Sequence, residues 1–401
     1  MIEQFFSFLD DPDRILFGRN YRLLSKIGML YGESVIEKYL KMTLHAVGTL
    51  FIISQYVELY IIRSDLDMVL TNLTITTQST ICVIKAWSFL LCQDKWRQVI
   101  DYITEADKYE RDNQDKTKKN IIKSYTTYSR RLNYVYWFMA FSTLVAICGA
   151  PTMKYMTSRV YREKVRNGTV PFPHIFSAWV PFDKTRPPGC WITAAWHLAV
   201  CIYGVTTVGA YDCSIMVMLA FFGARFDLMS IRCREMLGTD GKVVNDEDSD
   251  KALREIHGIH VLHLKYSKVF NSVSSPVMFC YIIMCSLMIC ASAFQVATTT
   301  DAATKILLME FLIFGVIQLL LFCWHSDQVL QKSQVAEMEP YNSLWWAANL
   351  RQRKNMILLQ GQLRINLNFT AGPFTNLTLP TFVTVLKGAY SYYTMVRQNK
   401  D

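Results

Sequence analysis

Long apolar blocks, each close to the length needed to cross a lipid bilayer, constrain this chain more than any other feature. A helical span takes about 20 mainly apolar residues. Lipid offers no partner to an unpaired backbone amide, so such blocks form helices rather than open strands. The candidate spans are 39–62, 68–92, 132–153, 191–223, 270–297, 305–326 and 376–397. The fifth and sixth are apolar almost throughout, whereas the second (MVLTNLTITTQSTICVIKAWSFLL) and seventh (NLTLPTFVTVLKGAYSYYTMV) carry many hydroxyl and amide side chains. Polar helices of this kind must be shielded by protein or touch water. Only 19% of the 401 residues are charged, against about a quarter in soluble domains. With no Gly/Ser/Pro-rich linker or evident repeat, the expectation is one all-α polytopic membrane domain over residues 1–401.

Loop charge sets the orientation, because Lys and Arg concentrate on the cytoplasmic side. With the N-terminus inside, the cytoplasmic segments hold 27 basic residues and the opposite side 11. This disfavours the reversed arrangement of a G-protein-coupled receptor and puts the C-terminus outside. The sequon Asn167-Gly168-Thr169 then lies in the exofacial 154–190 loop, where glycosylation of Asn167 is possible. Asp10, Asp11 and Asp13, with no basic flank before them, do not read as part of a cleaved signal peptide. On the cytoplasmic side, helical periodicity continues past the fourth block and through 251–269, with Ile256, Ile259, Leu262 and Leu264 on one side, and returns at 341–365. We read 224–269 and 341–365 as helical packing extensions, with a polar, acidic loop at 238–250.

Chemistry-bearing motifs are missing. No phosphate loop, Gly-x-Ser-x-Gly elbow or metalloprotease helix occurs, so neither an enzyme nor a cofactor is expected. His257, His260 and His263 spread over about a third of a helix circumference with no carboxylate or cysteine to complete a metal site; packed or solvated residues are the better reading. Most of the eleven cysteines sit in apolar blocks as small hydrophobes. Cys148 and Cys190 fall near one exposed face, where a bridge is conceivable. His45, Lys85, Asp212 and His325 lie toward inner span ends, where snorkelling or local pairing accounts for them. Lys387 lies midway along the seventh block and must face protein, water or a carboxylate.

The C-terminal residues carry a resemblance. Ala371-Gly372-Pro373-Phe374, then Leu377 and Leu379, then Phe382 to Lys387 and Tyr390-Ser391-Tyr392-Tyr393 look like the closing segment of insect odorant receptors. The opening GRNYRLLSKIGML resembles that family's approach to its first span. The resemblance implies a seven-helix tuning subunit of a ligand-gated, non-selective cation channel, with inverted topology. It would assemble as a heterotetramer with the odorant co-receptor in the plasma membrane of an olfactory sensory neuron, bind a small volatile, and have no nucleic-acid partner. The loop at 224–265 shows none of the enlargement of the co-receptor itself.

In that family the last helix surrounds the pore. Here Thr384, Lys387, Ser391, Thr394 and Gln398 form one helical stripe, with Met395 and Asn399 where gate residues stand in the co-receptor. Interhelical hydrogen bonding by Ser and Thr explains such a stripe equally well without the family match. Family pockets lie in the outer half among helices two, three, four and six. The corresponding residues are Thr74, Thr77 and Gln78; Ser142, Val145 and Gly149; His197 and Cys201; and Leu308, Phe311 and Leu312, with His197 and Gln78 as preferred polar anchors. A gustatory receptor shares fold and ending; a secondary transporter would show paired halves with broken helices, which we do not find.

Overall fold

The computed structural model describes residues 11–398 apart from 33, 65, 113–114, 240–241 and 300–301. Its elements in order are α1 (Gly18–Ile27), α2 (Val35–Ile61), α3 (Leu66–Leu91), α4 (Gln93–Arg111), α5 (Lys116–Thr157), α6 (Arg159–Arg166), α7 (Gly189–Glu235), β1 (Gly238–Thr239), β2 (Lys242–Val243), α8 (Asp246–Thr298), α9 (Ala302–Met338), α10 (Leu350–Leu363), β3 (Thr370–Ala371), β4 (Thr375–Asn376) and α11 (Leu379–Gln398). Among the described residues the strands form two short antiparallel hairpins. Among the described residues, five helices (α2, α5, α7, α8 and α9) are long and apolar enough to cross a membrane, and α3 with α4 makes a sixth candidate as a pair bent by 80°. A helix also forms over the seventh predicted block, but α11 is too polar to join that set. We call the end that carries residues 158–188 the upper end.

Length follows from where apolar residues stop being useful. α7 has 47 residues and α8 has 53, so at 1.5 Å per residue they run roughly 70 and 80 Å, well beyond the roughly 30 Å of a bilayer core. The lower half of α7 is buried almost continuously, so the other helices pack around it. By contrast α2 buries His45, Gly48, Phe51, Ile52 and Gln55 on one side and exposes Ile36, Leu40, Leu50 and Ile53 on the other, as a lipid-facing wall does.

Below the bundle, α4 lays Trp96, Val99, Ile100 and Ile103 into the core. This i, i+3, i+4, i+7 stripe makes a helix of the connection between the second and third predicted spans. The lower half of α8 buries Ile256, His260, His263, Ser267 and Phe270, while Leu262, expected on that face, is exposed. The histidines win because they have partners: His263 packs against Phe222 and Phe226 and meets the Tyr102 hydroxyl at 3.1 Å, and His260 Nε2 donates to the Gln362 carbonyl at 3.1 Å. The 341–365 extension does not become helical directly after Pro340. Two 3₁₀ turns intervene, and α10 starts where Asn349 and Gln352 form a capping box.

The hairpin β3–β4 explains the Ala-Gly motif. It docks on α8 beside Pro276, where Gly372 N donates to Ser275 Oγ (2.9 Å) and to the Ser275 carbonyl (3.1 Å). Gly372 has φ +67°, and a Cβ there would meet the Phe279 ring at 2.8 Å. Both the backbone sign and the close approach demand glycine.

Candidate functional site

A cavity of about 100 Å³ opens in the upper half where α2, α3, α5, α7 and α9 converge. Glycines make the room. A Cβ on Gly204 would point into open space, and Gly48 lets the Tyr203 ring approach to 3.0 Å of its own Cβ position. Phe51, Ile75, Cys201, Phe311 and Phe314 give an apolar wall, and Gln78, Ser79, Thr143 and Tyr203 add polar atoms, of which Ser79 Oγ donates to the Ile75 carbonyl at 3.1 Å. Thr143 is already engaged with the Met139 carbonyl and Glu310, and the Tyr203 hydroxyl pairs with His45 Nδ1 at 2.6 Å. Gln78 makes no hydrogen bond among the described residues, so its amide is the group available to a ligand.

The loop at the upper end roofs this cavity. Phe176 N donates to His197 Nδ1 (3.4 Å), and Phe51, Phe176, His174 and His197 meet edge to face. Trp179 N donates to the Ser54 carbonyl (3.2 Å), and Lys184 pairs with Glu58 (2.9 Å), which ties the loop to α2. His174 donates from Nε2 to the Lys184 carbonyl (2.9 Å); burial pushes its pKa below the ordinary histidine value, and the neighbouring Lys184 charge acts in the same direction.

The floor is polar. Lys85 on α3 donates to Asp212 on α7 at 2.6 Å, with neither side chain exposed at all. The Tyr136 hydroxyl and Gln318 Nε2 also donate to Asp212, and Gln318 reaches the Tyr136 oxygen at 3.0 Å. Tyr281, Tyr211 and Phe322 surround the ammonium with ring centroids at 5.0, 5.5 and 5.7 Å. Each member stands one helical turn below a cavity residue: Lys85 below Cys82, Tyr136 below Ala140, Asp212 below Val208 and Gln318 below Phe314. Lys85 and Asp212 are thus locally paired rather than snorkelling; His325 likewise meets the Tyr128 hydroxyl at 2.9 Å. Periodicity could not reveal this, because the partners come from four different helices.

Of the predicted ligand contacts, Gln78, Cys201 and Phe311 line the cavity. His197 belongs to the roof. Thr74 and Thr77 are buried, and Thr77 faces Tyr281 and Met288 of α8 instead. Ser142 donates to Glu310 (2.7 Å), Val145 is 55% exposed, Gly149 has open space beside it, and Leu308 and Leu312 are half-buried outside the cavity wall. Phe51, Phe176 and Tyr203 escaped the sequence reading because nothing local marks an apolar residue as cavity wall. Cys148 lies in hydrogen-bonding contact with Cys201 rather than bridged to Cys190, and all eleven cysteines are free.

On α11, Phe382, Val385, Leu386 and buried Ala389 pack inward. Thr384, Lys387, Ser391 and Met395 are exposed, with Thr394 at the edge. Lys387 has no partner among the described residues. The Gln398 side chain and Asn399 lie outside what the structure describes. Asn167 is exposed at the end of α6.

A roofed apolar cavity inside a bundle of bilayer-length helices defines a class: a multi-pass membrane receptor for a small ligand. A family model for the 7tm odorant receptor matches residues 65–390, and the chain belongs to that family, whose members are receptors rather than enzymes. It is similar to Odorant receptor 94a of Drosophila melanogaster, 23% identical over 55% of this chain and 57% of that protein. It is also similar to Odorant receptor 10 of Aedes albopictus, 24% identical over 35% of this chain and 37% of that one. The alignments with these two relatives thus reach little over half of their length at most. The fold matches the olfactory receptor OR5 of Machilis hrabei, solved with eugenol, at a TM-score of 0.79 and 16% identity, covering 96% of this chain and 98% of the other.

Proposed function

We propose that this chain is the odorant-binding subunit of a ligand-gated, non-selective cation channel, assembled with the odorant co-receptor in the plasma membrane of an olfactory sensory neuron. It crosses the membrane seven times, with α2, α3, α5, α7, α8, α9 and α11 as spans, its N-terminus in the cytoplasm and Asn167 outside. The observation that carries the reading is the pairing of a roofed apolar cavity holding one free amide, Gln78, with a last helix whose polar stripe faces away from its own bundle. A volatile seats against Phe51, Cys201, Tyr203 and Phe311 and hydrogen-bonds Gln78. Thr384, Lys387, Ser391, Thr394 and Met395 face the pore. Ligand binds the open arrangement better and shifts the population toward it.

Odour-evoked currents from cells expressing this chain with the co-receptor test the proposal. We expect cation currents that depend on both subunits. Silence across a broad volatile panel, with surface expression confirmed, overturns it.

A further inference from the structure

A second groove, of about 460 Å³, lies at the lower end between α5, the last turn of α4 and the segment before α1. Arg111, Lys119, Lys123 and Arg130 line it and no carboxylate does. The neighbouring acidic side chains Asp11, Asp13, Asp101 and Glu105 line a separate groove with Arg14 and Lys108. Arg111 is committed to Asp107 and to the Thr126 hydroxyl, each at 2.8 Å. The side chains of Lys123, Thr127 and Arg130 make no ion pair or hydrogen bond among the described residues. They recur at i, i+4 and i+7, one face of a helix, so three unclaimed donors point along a single stripe.

We propose that this groove binds the headgroup of a multiply phosphorylated inositol lipid of the inner leaflet. The assignment rests on the topology proposed above, in which α5 enters the membrane near residue 132. Arg130 then sits at headgroup level, and Lys123 lies about 10 Å further from the bilayer. A lipid with a single phosphate at the interface engages only the upper cation. A headgroup carrying phosphates outward from the interface engages both, with the Thr127 hydroxyl between them. Cation clusters beside a span on the cytoplasmic side attract such lipids by charge, and the open rim beside Ile15, 46% exposed, leaves room for the inositol ring.

The test uses the purified full-length chain in a neutral detergent, without co-receptor or odorant, and reads binding of a dioctanoyl phosphatidylinositol bisphosphate. Removing two cations near a membrane surface predicts about 30-fold weaker binding for Lys123→Gln/Arg130→Gln. A control pair of exposed lysines on α8 and α10, Lys268→Gln/Lys354→Gln, leaves binding within about 3-fold, as expected if position rather than bulk charge matters. Equal losses in both variants, or equal binding of dioctanoyl phosphatidylcholine, overturn the proposal. Inositol trisphosphate binding as tightly as the lipid overturns it in favour of a soluble phosphate ligand. A tag inserted between α7 and α8 and reached from outside the cell overturns the topology instead, and odour-evoked currents do not enter the measurement, so the two failures are distinguishable.

Discussion

Replacing Lys85 with methionine removes from fully buried Asp212 the one cation that pairs with it among the described residues. Asp212 keeps its hydrogen bonds from Tyr136 and Gln318, so the stranded carboxylate retains two neutral donors. Breaking a buried pair by deleting one partner costs roughly 3–5 kcal/mol, and we place Lys85→Met at the lower end for that reason. Asp212→Leu strands an ammonium beside three aromatic faces, with no carboxylate pairing it among the described residues, and falls at the upper end. The double substitution Lys85→Met/Asp212→Leu leaves no charge behind and is expected within about 1 kcal/mol of the parent, or above it, since apolar replacements of buried pairs are often neutral or stabilising. Thermal unfolding of purified protein in detergent checks this, read as a double-substitution cycle. Singles that cost under about 1 kcal/mol, or a double no more stable than the worse single, refute the claim that the charges are held in a dry interior by each other.

Gln78→Leu removes one neutral hydrogen bond, on the order of 1 kcal/mol, so the half-maximal concentration for carbonyl or alcohol ligands rises about 5-fold while that for pure hydrocarbons stays put in dose–response recordings. Gly372→Ala forces a Cβ against Phe279 in a left-handed backbone and lowers stability by about 1–3 kcal/mol, measured as a fall in thermal unfolding temperature. Burial lowers the pKa of His260 and lowers that of His263 further, with Arg225 adding to the second. The unfolded chain therefore takes up protons first, near pH 6.5. Stability is full above that pH and falls as pH drops below it; unfolding scans at pH 7.5 and 5.5 should show the loss, and His263→Phe should shrink it.

The apolar blocks determined by themselves that this chain is a helical membrane bundle, because lipid admits few other solutions. They also placed helices over every predicted span, including the polar one that became α11. The Ala371-Gly372 pair was legible as a motif, but its reason lies in Phe279, a residue nearly a hundred positions away. Gln78, Cys201 and Phe311, suggested by the family resemblance at the depth of its pockets, line the cavity, and the eight residues suggested with them do not. Phe51, Tyr203 and the roof could not be named from the sequence, since depth says nothing about rotation, and a helix's rotation is set by the neighbours it packs against. The same holds for Lys85 and Asp212. Each read alone is an awkward charge in lipid. Only the packing of α3, α5, α7 and α9 brings four separate polar groups within hydrogen-bonding distance, because contact between helices depends on interhelical geometry that no local period encodes.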